Sequence, residues 1–253
     1  MSQSQAELDK SGRAIQEMFE GVAPRYDFLN HLLSGALDIS WRHRAAEALA
    51  LPTGSEGARV LDLCSGTGDQ ALAVRKRGGR VFAGDFCLPM LALAKTKFAR
   101  YQKRRPQGLA TDALALPFAN DNFDAATVSF GLRNVADLDR ALAEIGRVLR
   151  LRGRLAVLEF ALPESPLLRG PYLFYFRHVL PLLGRLFSPR GSAYSYLPSS
   201  VIEFPQRERF LEYMHRAGFA ETSSRNLAGG TVCLYTGFYC GPGSRAEAKR
   251  ESR

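Results

Sequence analysis

Residues 59–69, RVLDLCSGTGD, decide the fold of this chain. Their first part, RVLDLC, is a short run of β-branched and leucine residues that predicts a buried β-strand. Gly66 and Gly68 end this run, and a helical pattern begins at Asp69. A strand, a glycine turn and a helix in this order are typical of the first unit of a nucleotide-binding α/β sheet.

Outward from this stretch, short apolar runs alternate with helical patterns. Such strands, separated by helices, predict a parallel sheet covered on both faces. The Gly229-Gly230 pair near the end of the chain predicts a hairpin between two further strands. The expected fold is therefore α/β, with a seven-stranded, mostly parallel sheet and an antiparallel terminal hairpin. Strands are predicted at 80–86, 108–112, 123–130, 154–160, 221–227 and 231–238, and helices at 69–77, 88–100, 137–150 and 206–217.

The 253 residues divide into four predicted segments, and 46% hydrophobic residues suffice for one substantial core. Residues 1–10 and 241–253 are polar and are predicted to be disordered. Residues 11–52 are predicted to form an N-terminal helical lid, and residues 53–240 to form the α/β domain.

Cysteine content and charge bound the functional class. Four scattered cysteines, without a C-x-x-C pair, indicate neither a disulfide framework nor a zinc site and favour a reducing cytosol. The polar start MSQSQAELDK argues against a signal peptide. The sequence contains no stretch of 18 apolar residues, so we predict no membrane span. The net charge of +9 indicates nucleic acid or acidic lipid headgroups as a partner, or else solvated helix faces.

The glycine turn alone does not identify the ligand. Gly66, Gly68 and Ala71 fit the G-x-G-x-x-A pattern of dinucleotide-binding proteins, and Asp85 follows where a ribose-binding acid is expected. A dehydrogenase therefore has to be weighed against other nucleotide-binding enzymes.

Charge favours a cationic ligand over a dinucleotide. A pyrophosphate binds at a helix N-terminus, but Asp69 lies in that first turn and Asp62 lies just before the loop. A carboxylate and a phosphate charge about 4 Å apart repel each other by about 4 kcal/mol at an effective dielectric constant of about 20. S-adenosylmethionine carries no phosphate, and its sulfonium and ammonium groups attract carboxylates. We therefore expect Asp62, Gly66 and Gly68 to take part in binding this cofactor.

Two further acids end neighbouring strands. Asp85 is placed to accept both ribose hydroxyls, and Asp112 with the backbone N–H of Ala113 is placed to contact the adenine. For each acid taken singly, a helix N-cap is about as good an interpretation. Acids at the ends of three consecutive strands favour the ligand.

These motifs also resemble one known family, the ubiquinone/menaquinone biosynthesis C-methyltransferases. The resemblance spans about Phe19 to Tyr239, and its most specific part is SFGLRNVAD at 129–137. Two positions depart from the family's pattern: Leu151-Arg152-Gly153 replaces a usual Gly-Gly, which we interpret as a loop change, and Leu173 replaces an acid. Further matching stretches are FEGVAPRYDFLNHLLSGALDISWR (19–42), LDLCSGTGD (61–69), ALPFANDNFDAATVSFGLRNVAD (115–137), HVLPLLG (178–184) and YSYLPSSVIEFP (194–205).

The resemblance implies a Rossmann-like, class I S-adenosylmethionine-dependent methyltransferase fold with S-adenosylmethionine as cofactor. It implies C-methylation of demethylmenaquinol in menaquinone biosynthesis, or alternatively of the 2-methoxy-6-polyprenyl-1,4-benzoquinol intermediate of ubiquinone biosynthesis. An RNA methyltransferase, motivated by the charge, and a non-catalytic subunit that kept the fold are the competing hypotheses. The cofactor contacts of the family fall on Thr67, Asp85, Asp112, Ala113 and Ser129.

Methylation of an aromatic carbon requires a phenolate, so a cation or base should lie near the acceptor hydroxyl. Arg133 and Asn134, just beyond the fourth strand, are the first candidates, although a capping or salt-bridged arginine is an alternative. His178 is the candidate base, with a core histidine as its alternative. Arg133→Ala is expected to lose turnover without loss of folding. Tyr26, Asp27, Tyr172 and Tyr175 are candidate acceptor contacts, with packing or capping as the alternative.

Residues 164–203 are predicted to form an insertion that faces the acceptor and the membrane. The segment is rich in leucine, aromatic residues and arginine, and no acid lies between Glu164 and Glu203. Such a composition suits an interfacial segment that admits a polyprenyl tail from the bilayer, whereas a dimer interface or plain core is the alternative. We therefore predict a cytoplasmic protein bound peripherally to the inner face of the cell membrane, with a polyprenylated quinol substrate, no nucleic acid partner and a possible homodimer.

Overall fold

The computed structural model describes residues 12–51, 57–179 and 192–242. The predicted disordered start, most of the tail and the centre of the insertion therefore lie outside the described residues. The seven strands of the α/β domain are β1 (Arg59–Leu63), β2 (Arg80–Asp85), β3 (Gln107–Ala110), β4 (Phe123–Ser129), β5 (Leu149–Phe160), β6 (Phe219–Leu227) and β7 (Val232–Tyr239).

These strands form one sheet in the order β3-β2-β1-β4-β5-β7-β6. The first five strands are parallel, and β7 runs antiparallel to β5 and β6. The predicted sheet and its terminal hairpin are confirmed. The strand order reverses between β1 and β4, and the carboxyl ends of these strands form the crevice in which open α/β sheets bind ligands.

Helices cover both faces of the sheet because its strands alternate buried side chains between two cores. Val60 and Val81 pack beneath one set of helices, while Leu61 and Val157 pack on the other. The covering helices of the domain are α4 (Asp69–Lys76), α5 (Leu88–Phe98), α6 (Leu138–Val148) and α9 (Glu208–Arg216).

Three helices precede the domain: α1 (Gly12–Val22), α2 (Tyr26–Leu33) and α3 (Leu37–Ala48). The insertion contributes α7 (Pro166–Phe174), a π-helical turn (Tyr175–Val179) and α8 (Ser192–Glu203). Ala23 and Leu29 from the first group pack with Phe176 and Val201 from the second. The two groups therefore enclose the carboxyl edge of the sheet together.

One local prediction was wrong. Residues 151–153 do not form a loop before the fifth strand but lie inside β5, which begins at Leu149 and pairs there with Phe123. The register shifts between Phe123 and Ala125, and Arg152 has a φ of 63°. A bulge of this kind lets a strand continue past residues without strand-like sequence.

Gly68 provides a test of the glycine turn. Its φ is +87°, and a Cβ atom there would lie 2.5 Å from the Phe98 ring. Gly68→Ala is therefore expected to lower the free energy of unfolding by about 2–4 kcal/mol, from left-handed strain and overpacking. The matched control is Gly66→Ala, with a φ of +55° and open space at its Cβ, which should cost about 1 kcal/mol. Urea unfolding without cofactor measures both, and equal losses would contradict the packing role.

Candidate active site

A cavity of about 180 Å³ lies at the carboxyl ends of β1, β2 and β4. Its wall includes the glycine loop at Gly66 and Thr67 and the strand-end residue Asp85. The predicted cofactor-site residues Asp112, Ala113 and Ser129 also line it. Six of the eight predicted cofactor positions therefore come together in one cavity.

Asp85 fixes the shape of the glycine loop. Its carboxylate accepts a hydrogen bond from the backbone N–H of Gly66 and another from that of Cys87, each at 2.8 Å. Burial raises the pKa of Asp85, while these two backbone donors act in the opposite direction. An ionised carboxylate has about four lone-pair sites, so capacity for ribose hydroxyls remains.

The cavity fits S-adenosylmethionine on three independent observations. The Oγ atom of Ser129 is buried in its wall and has no hydrogen-bond partner among the described residues. A Cβ atom at Gly66 would meet open space, so a ligand can approach this backbone closely. Asp112 accepts the backbone N–H of Leu114 through one oxygen and leaves the other for a ligand.

Asp62 and Gly68 lie outside the lining of this cavity. The packing of Gly68 against Phe98 and Ala94 explains its position. Asp62 is fully buried and accepts a hydrogen bond from the Ser65 hydroxyl at 2.6 Å. Burial raises the pKa of Asp62 to about 7. Both residues shape the loop from behind instead of lining the cavity.

Asp69 does not present an unpaired charge to the cofactor cavity, as the sequence had led us to expect. Lys97 on α5 lies 2.6 Å from Asp69 and 2.6 Å from Asp27, so the carboxylate in the first turn of α4 is paired. Asp27, which also accepts the Thr67 hydroxyl, lines neither the cofactor cavity nor its neighbour. Its predicted acceptor contact is replaced by a link between α2 and the glycine loop. With Asp85 and Asp112 also in the wall, the lining still disfavours a pyrophosphate.

A second cavity, of about 370 Å³, adjoins the first. Both are lined by Tyr26, Phe130 and Asn134, so a ligand in one lies next to a ligand in the other. The wall is mainly aromatic and comes from α1–α3, the strand ends and the insertion. Its aromatic residues are Phe19, Tyr26, Trp41, Phe130, Phe160, Tyr172, Tyr175, Phe176 and Tyr196.

Arg133 lies in the wall of the second cavity and is almost completely buried. Its guanidinium lies 3.1 Å from the Glu159 carboxylate, donates to the Phe130 carbonyl and stacks over the Phe160 ring. Burial raises the pKa of Glu159, and the positive charge of Arg133 opposes that shift. Arg133→Ala is therefore expected to lower the free energy of unfolding as well as turnover, because removing one partner of a buried ion pair costs about 3–5 kcal/mol.

The other predicted acceptor residues lie in different places. Asn134, Tyr26, Tyr172 and Tyr175 all line the second cavity. His178 is exposed, packs its ring against Phe174 and lines neither cavity. His178 therefore lies away from the two cavities, at the surface of the π-helical turn.

Sequence analysis missed a polar cluster in the same wall. Asp38 is buried, and its two carboxylate oxygens each lie 3.0 Å from His31 Nδ1. Burial alone would raise the pKa of Asp38, but the hydrogen bonds from His31 and Ser34 and the charge of Arg42 hold it below its usual value. The spacing of four residues between Asp38 and Arg42 on α3 was the signal available, and it is too common to identify a site, while His31 lies on a different helix.

No cluster of His, Cys, Asp and Glu among the described residues could hold a metal ion. The chemistry of these side chains is instead that of a carboxylate-lined cavity for a cation beside an aromatic cavity with a buried arginine. Two ligands that meet at Tyr26, Phe130 and Asn134 suit a group transfer between them.

Comparison with solved structures places the fold among the S-adenosylmethionine-dependent methyltransferases. One similar structure is such an enzyme from Thermotoga maritima, with a TM-score of 0.58 and 20% identity, covering 87% of this chain and 99% of that one. Another, the [4+2]-cyclase SpnF, has a TM-score of 0.61 and 18% identity, covering 94% and 99%. At these identities the likeness establishes the fold alone.

Sequence comparison identifies the family. The model of the ubiE/COQ5 methyltransferase family matches residues 6–239, and this chain belongs to that family. It is a methyltransferase that uses S-adenosylmethionine, as predicted. A demethylmenaquinone methyltransferase from Thermus thermophilus is 48% identical over 80% of this chain and 91% of its own length. The ubiquinone/menaquinone biosynthesis C-methyltransferase of Geobacter sulfurreducens is 43% identical over 91% and 90%.

The buried carboxyl of Asp62 predicts an unusual pH dependence of stability. Because its pKa is raised in the folded protein to about 7, its contribution to stability is largest below its ordinary value of 3.8 and is lost as the pH rises to about 7. Asp62→Asn removes this loss. The stability of the variant relative to the wild type should therefore be higher at about pH 8 than at about pH 5.

Thermal unfolding of the cofactor-free protein at both pH values measures this difference. The control is Asp139→Asn at an exposed ion pair with Arg216, which should show no such change. An Asp62→Asn variant that loses stability relative to the wild type on going to the higher pH would refute the raised pKa.

Proposed function

We propose that this protein transfers a methyl group from S-adenosylmethionine to a ring carbon of demethylmenaquinol, the last step in making menaquinone. The observation that carries the proposal is the pair of adjoining cavities, one lined by carboxylates and one by aromatic rings, with Arg133 beside their common wall. The relatives named demethylmenaquinone methyltransferase in Thermus thermophilus and Deinococcus radiodurans support the same substrate.

Each group in the site has a role in this reaction. Bound S-adenosylmethionine supplies an electrophilic methyl group on its sulfur. Asp85, Asp112 and the glycine loop would hold the cofactor, and Ser129 offers it an unpartnered hydroxyl. The aromatic walls of the second cavity orient the flat acceptor ring and exclude water, which raises the strength of every charge interaction inside.

Arg133 would favour the ionised form of the acceptor. A quinol becomes a carbon nucleophile when one hydroxyl loses its proton, because negative charge then reaches the adjacent ring carbon. A buried guanidinium near that oxygen stabilises the phenolate. Asn134 lies at the junction of the cavities, and its side-chain oxygen has no partner among the described residues, so it can accept the second hydroxyl.

Methylation of the 2-methoxy-6-polyprenyl-1,4-benzoquinol of ubiquinone biosynthesis is the second candidate. The Geobacter sulfurreducens relative carries both pathways in its name. Both acceptors are quinols with a polyprenyl tail, so the same cavity chemistry serves both. An RNA acceptor, by contrast, finds no support in the mainly aromatic lining of a cavity of about 370 Å³.

Direct turnover tests this function. Purified protein with S-adenosylmethionine should convert demethylmenaquinol, kept reduced, into menaquinol, as measured by mass spectrometry. The oxidised quinone should not react, because it has no hydroxyl to ionise. Parallel assays with the benzoquinol and with transfer RNA rank the alternatives, and methylation of RNA alone would overturn the proposal.

A charge-neutral pair of substitutions tests the arginine within that assay. Arg133→Met with Glu159→Gln leaves no unpaired buried charge, so the protein should fold and bind S-adenosylhomocysteine while kcat falls by about 10²–10³-fold. The control, Arg216→Met with Asp139→Asn, removes an exposed ion pair and should keep full turnover. Unchanged kcat in the first double variant would exclude Arg133 from the chemistry.

We also propose that the protein binds peripherally to an anionic membrane surface. No helix in the described parts of the chain is long and apolar enough to span a bilayer. The helices that line the acceptor cavity carry exposed apolar side chains, among them Leu167 (82% exposed) and Phe174 (64%) on α7. Together with the net charge of +9, they suit a surface of acidic lipid headgroups above apolar chains. A homodimer remains a prediction.

Vesicle flotation tests this surface. Wild-type protein should bind phosphatidylglycerol vesicles more strongly than phosphatidylcholine vesicles, and Leu167→Asp with Phe174→Asp should weaken this binding about tenfold or more. Leu151→Asp is the control, because Leu151 is equally exposed at the opposite edge of the sheet. If the control substitution weakened vesicle binding as much as the α7 double substitution, or if the wild type did not bind vesicles, the proposed membrane-binding surface would be refuted.

A further inference from the structure

Four hydrogen-bond donors in the acceptor cavity lack hydrogen-bond partners. They are the hydroxyls of Tyr172 and Tyr196 and the Nε–H groups of Arg133 and Arg42, each a buried atom without a hydrogen-bond partner among the described residues. All four side chains line the same cavity, but Arg42 Nε already faces the Asp38 carboxylate at 3.7 Å. The other three donors come from three separate elements: α7, α8 and the turn after β4.

Unpartnered donors of this kind need an explanation. A buried polar atom without a partner costs about 1–3 kcal/mol, and folded proteins keep few of them. The other contacts of Arg133 are already made, because Nη1 binds Glu159 and the Phe130 carbonyl. Its Nε–H therefore stays available in the cavity wall.

Both tyrosines keep their protons in this setting. Burial raises the pKa of Tyr172, and it raises that of Tyr196 to about 12. The positive charge of Arg133 opposes the shift at both hydroxyls. The hydroxyls are therefore donors at neutral pH, and they line the same cavity as Arg133.

We propose that Tyr172, Tyr196 and the Nε–H of Arg133 form one donor pocket that binds the anionic oxygen of a phenolate acceptor. The inference rests on the proposed function and adds to it a binding role for Tyr196, together with a shared target for the three groups. Donors fixed in an apolar cavity stabilise an oxyanion more strongly than water does, because they need no reorganisation. The pocket binds the ionised acceptor more tightly than the neutral one and so lowers the pKa of the bound phenol.

A chromophoric phenol reads this effect directly. When 4-nitrophenol is titrated against pH with wild-type protein and S-adenosylhomocysteine, its absorbance should show ionisation at lower pH than in free solution. Tyr196→Phe keeps the ring and removes one donor, so the ionisation constant of the bound probe should fall about tenfold, and Tyr172→Phe should act similarly. Wild-type protein that leaves the ionisation of the probe unchanged, or a Tyr196→Phe variant that matches the wild type, would overturn the pocket.

Stability separates this role from simple packing. Tyr196→Phe removes an unpartnered buried hydroxyl, so the melting temperature of the free protein should stay the same or rise. The matched control is Tyr235→Phe, since the fully buried Tyr235 hydroxyl accepts the backbone N–H of Arg207 at 2.8 Å. That control should melt earlier and leave both the probe and turnover unchanged. A lower melting temperature in Tyr196→Phe with unaltered probe ionisation would mark a structural residue.

Turnover distinguishes failure of this inference from failure of the proposed function. With demethylmenaquinol, Tyr196→Phe should lower kcat by about 10–10²-fold and leave the KM for S-adenosylmethionine unchanged. If the wild type turns over the quinol but Tyr196→Phe changes neither kcat nor the ionisation of the probe, the donor pocket is refuted and the proposed function is not. A shifted probe without quinol turnover would instead refute the proposed substrate and leave a phenolate pocket for another phenol.

Discussion

The ion pair between Arg133 and Glu159 is the interaction on which the geometry of both cavities depends. Glu159 lies near the carboxyl end of β5 and is fully buried, and Arg133 follows β4 in the next strand position of the sheet. The pair fixes the segment that carries Phe130 and Asn134, two of the residues that line both cavities. Because Glu159 also accepts the backbone N–H of Arg133, the strand end and the side chain are held by the same carboxylate.

The N-terminal helices complete the site through polar contacts as well as through their apolar packing against the domain and the insertion. Lys97 joins Asp27 of α2 to Asp69 of α4, and Thr67 donates to Asp27 from the glycine loop. Farther along, Asp38 draws His31 and Arg42 together at the wall of the acceptor cavity. The contacts of Lys97 are partly exposed and contribute little to stability individually, whereas Asp38 is buried. Both sets of contacts position α2 and α3 at the cavities.

The fold by itself leaves the chemistry open. A [4+2]-cyclase shares the architecture as fully as a methyltransferase does, with a TM-score of 0.61 against 0.58. Function is decided by the residues placed at the crevice. In this chain they provide carboxylates for a cationic cofactor and unpartnered donors for an anionic oxygen, which are the complementary charges that an alkyl transfer to a phenolate requires.

The sequence by itself determined the sheet, its terminal hairpin, the family and the cofactor loop, because these depend on local periodicity, glycine positions and strand ends. It could not determine which polar residues share a cavity. Asp27 and His178 match acceptor roles in the sequence, yet one pairs with Lys97 and the other is exposed. Only the tertiary structure brought Tyr196 and Arg133 into the wall of one cavity, since the two lie 63 positions apart and on different elements. Contacts of that separation depend on the packing of whole elements, which no local pattern encodes.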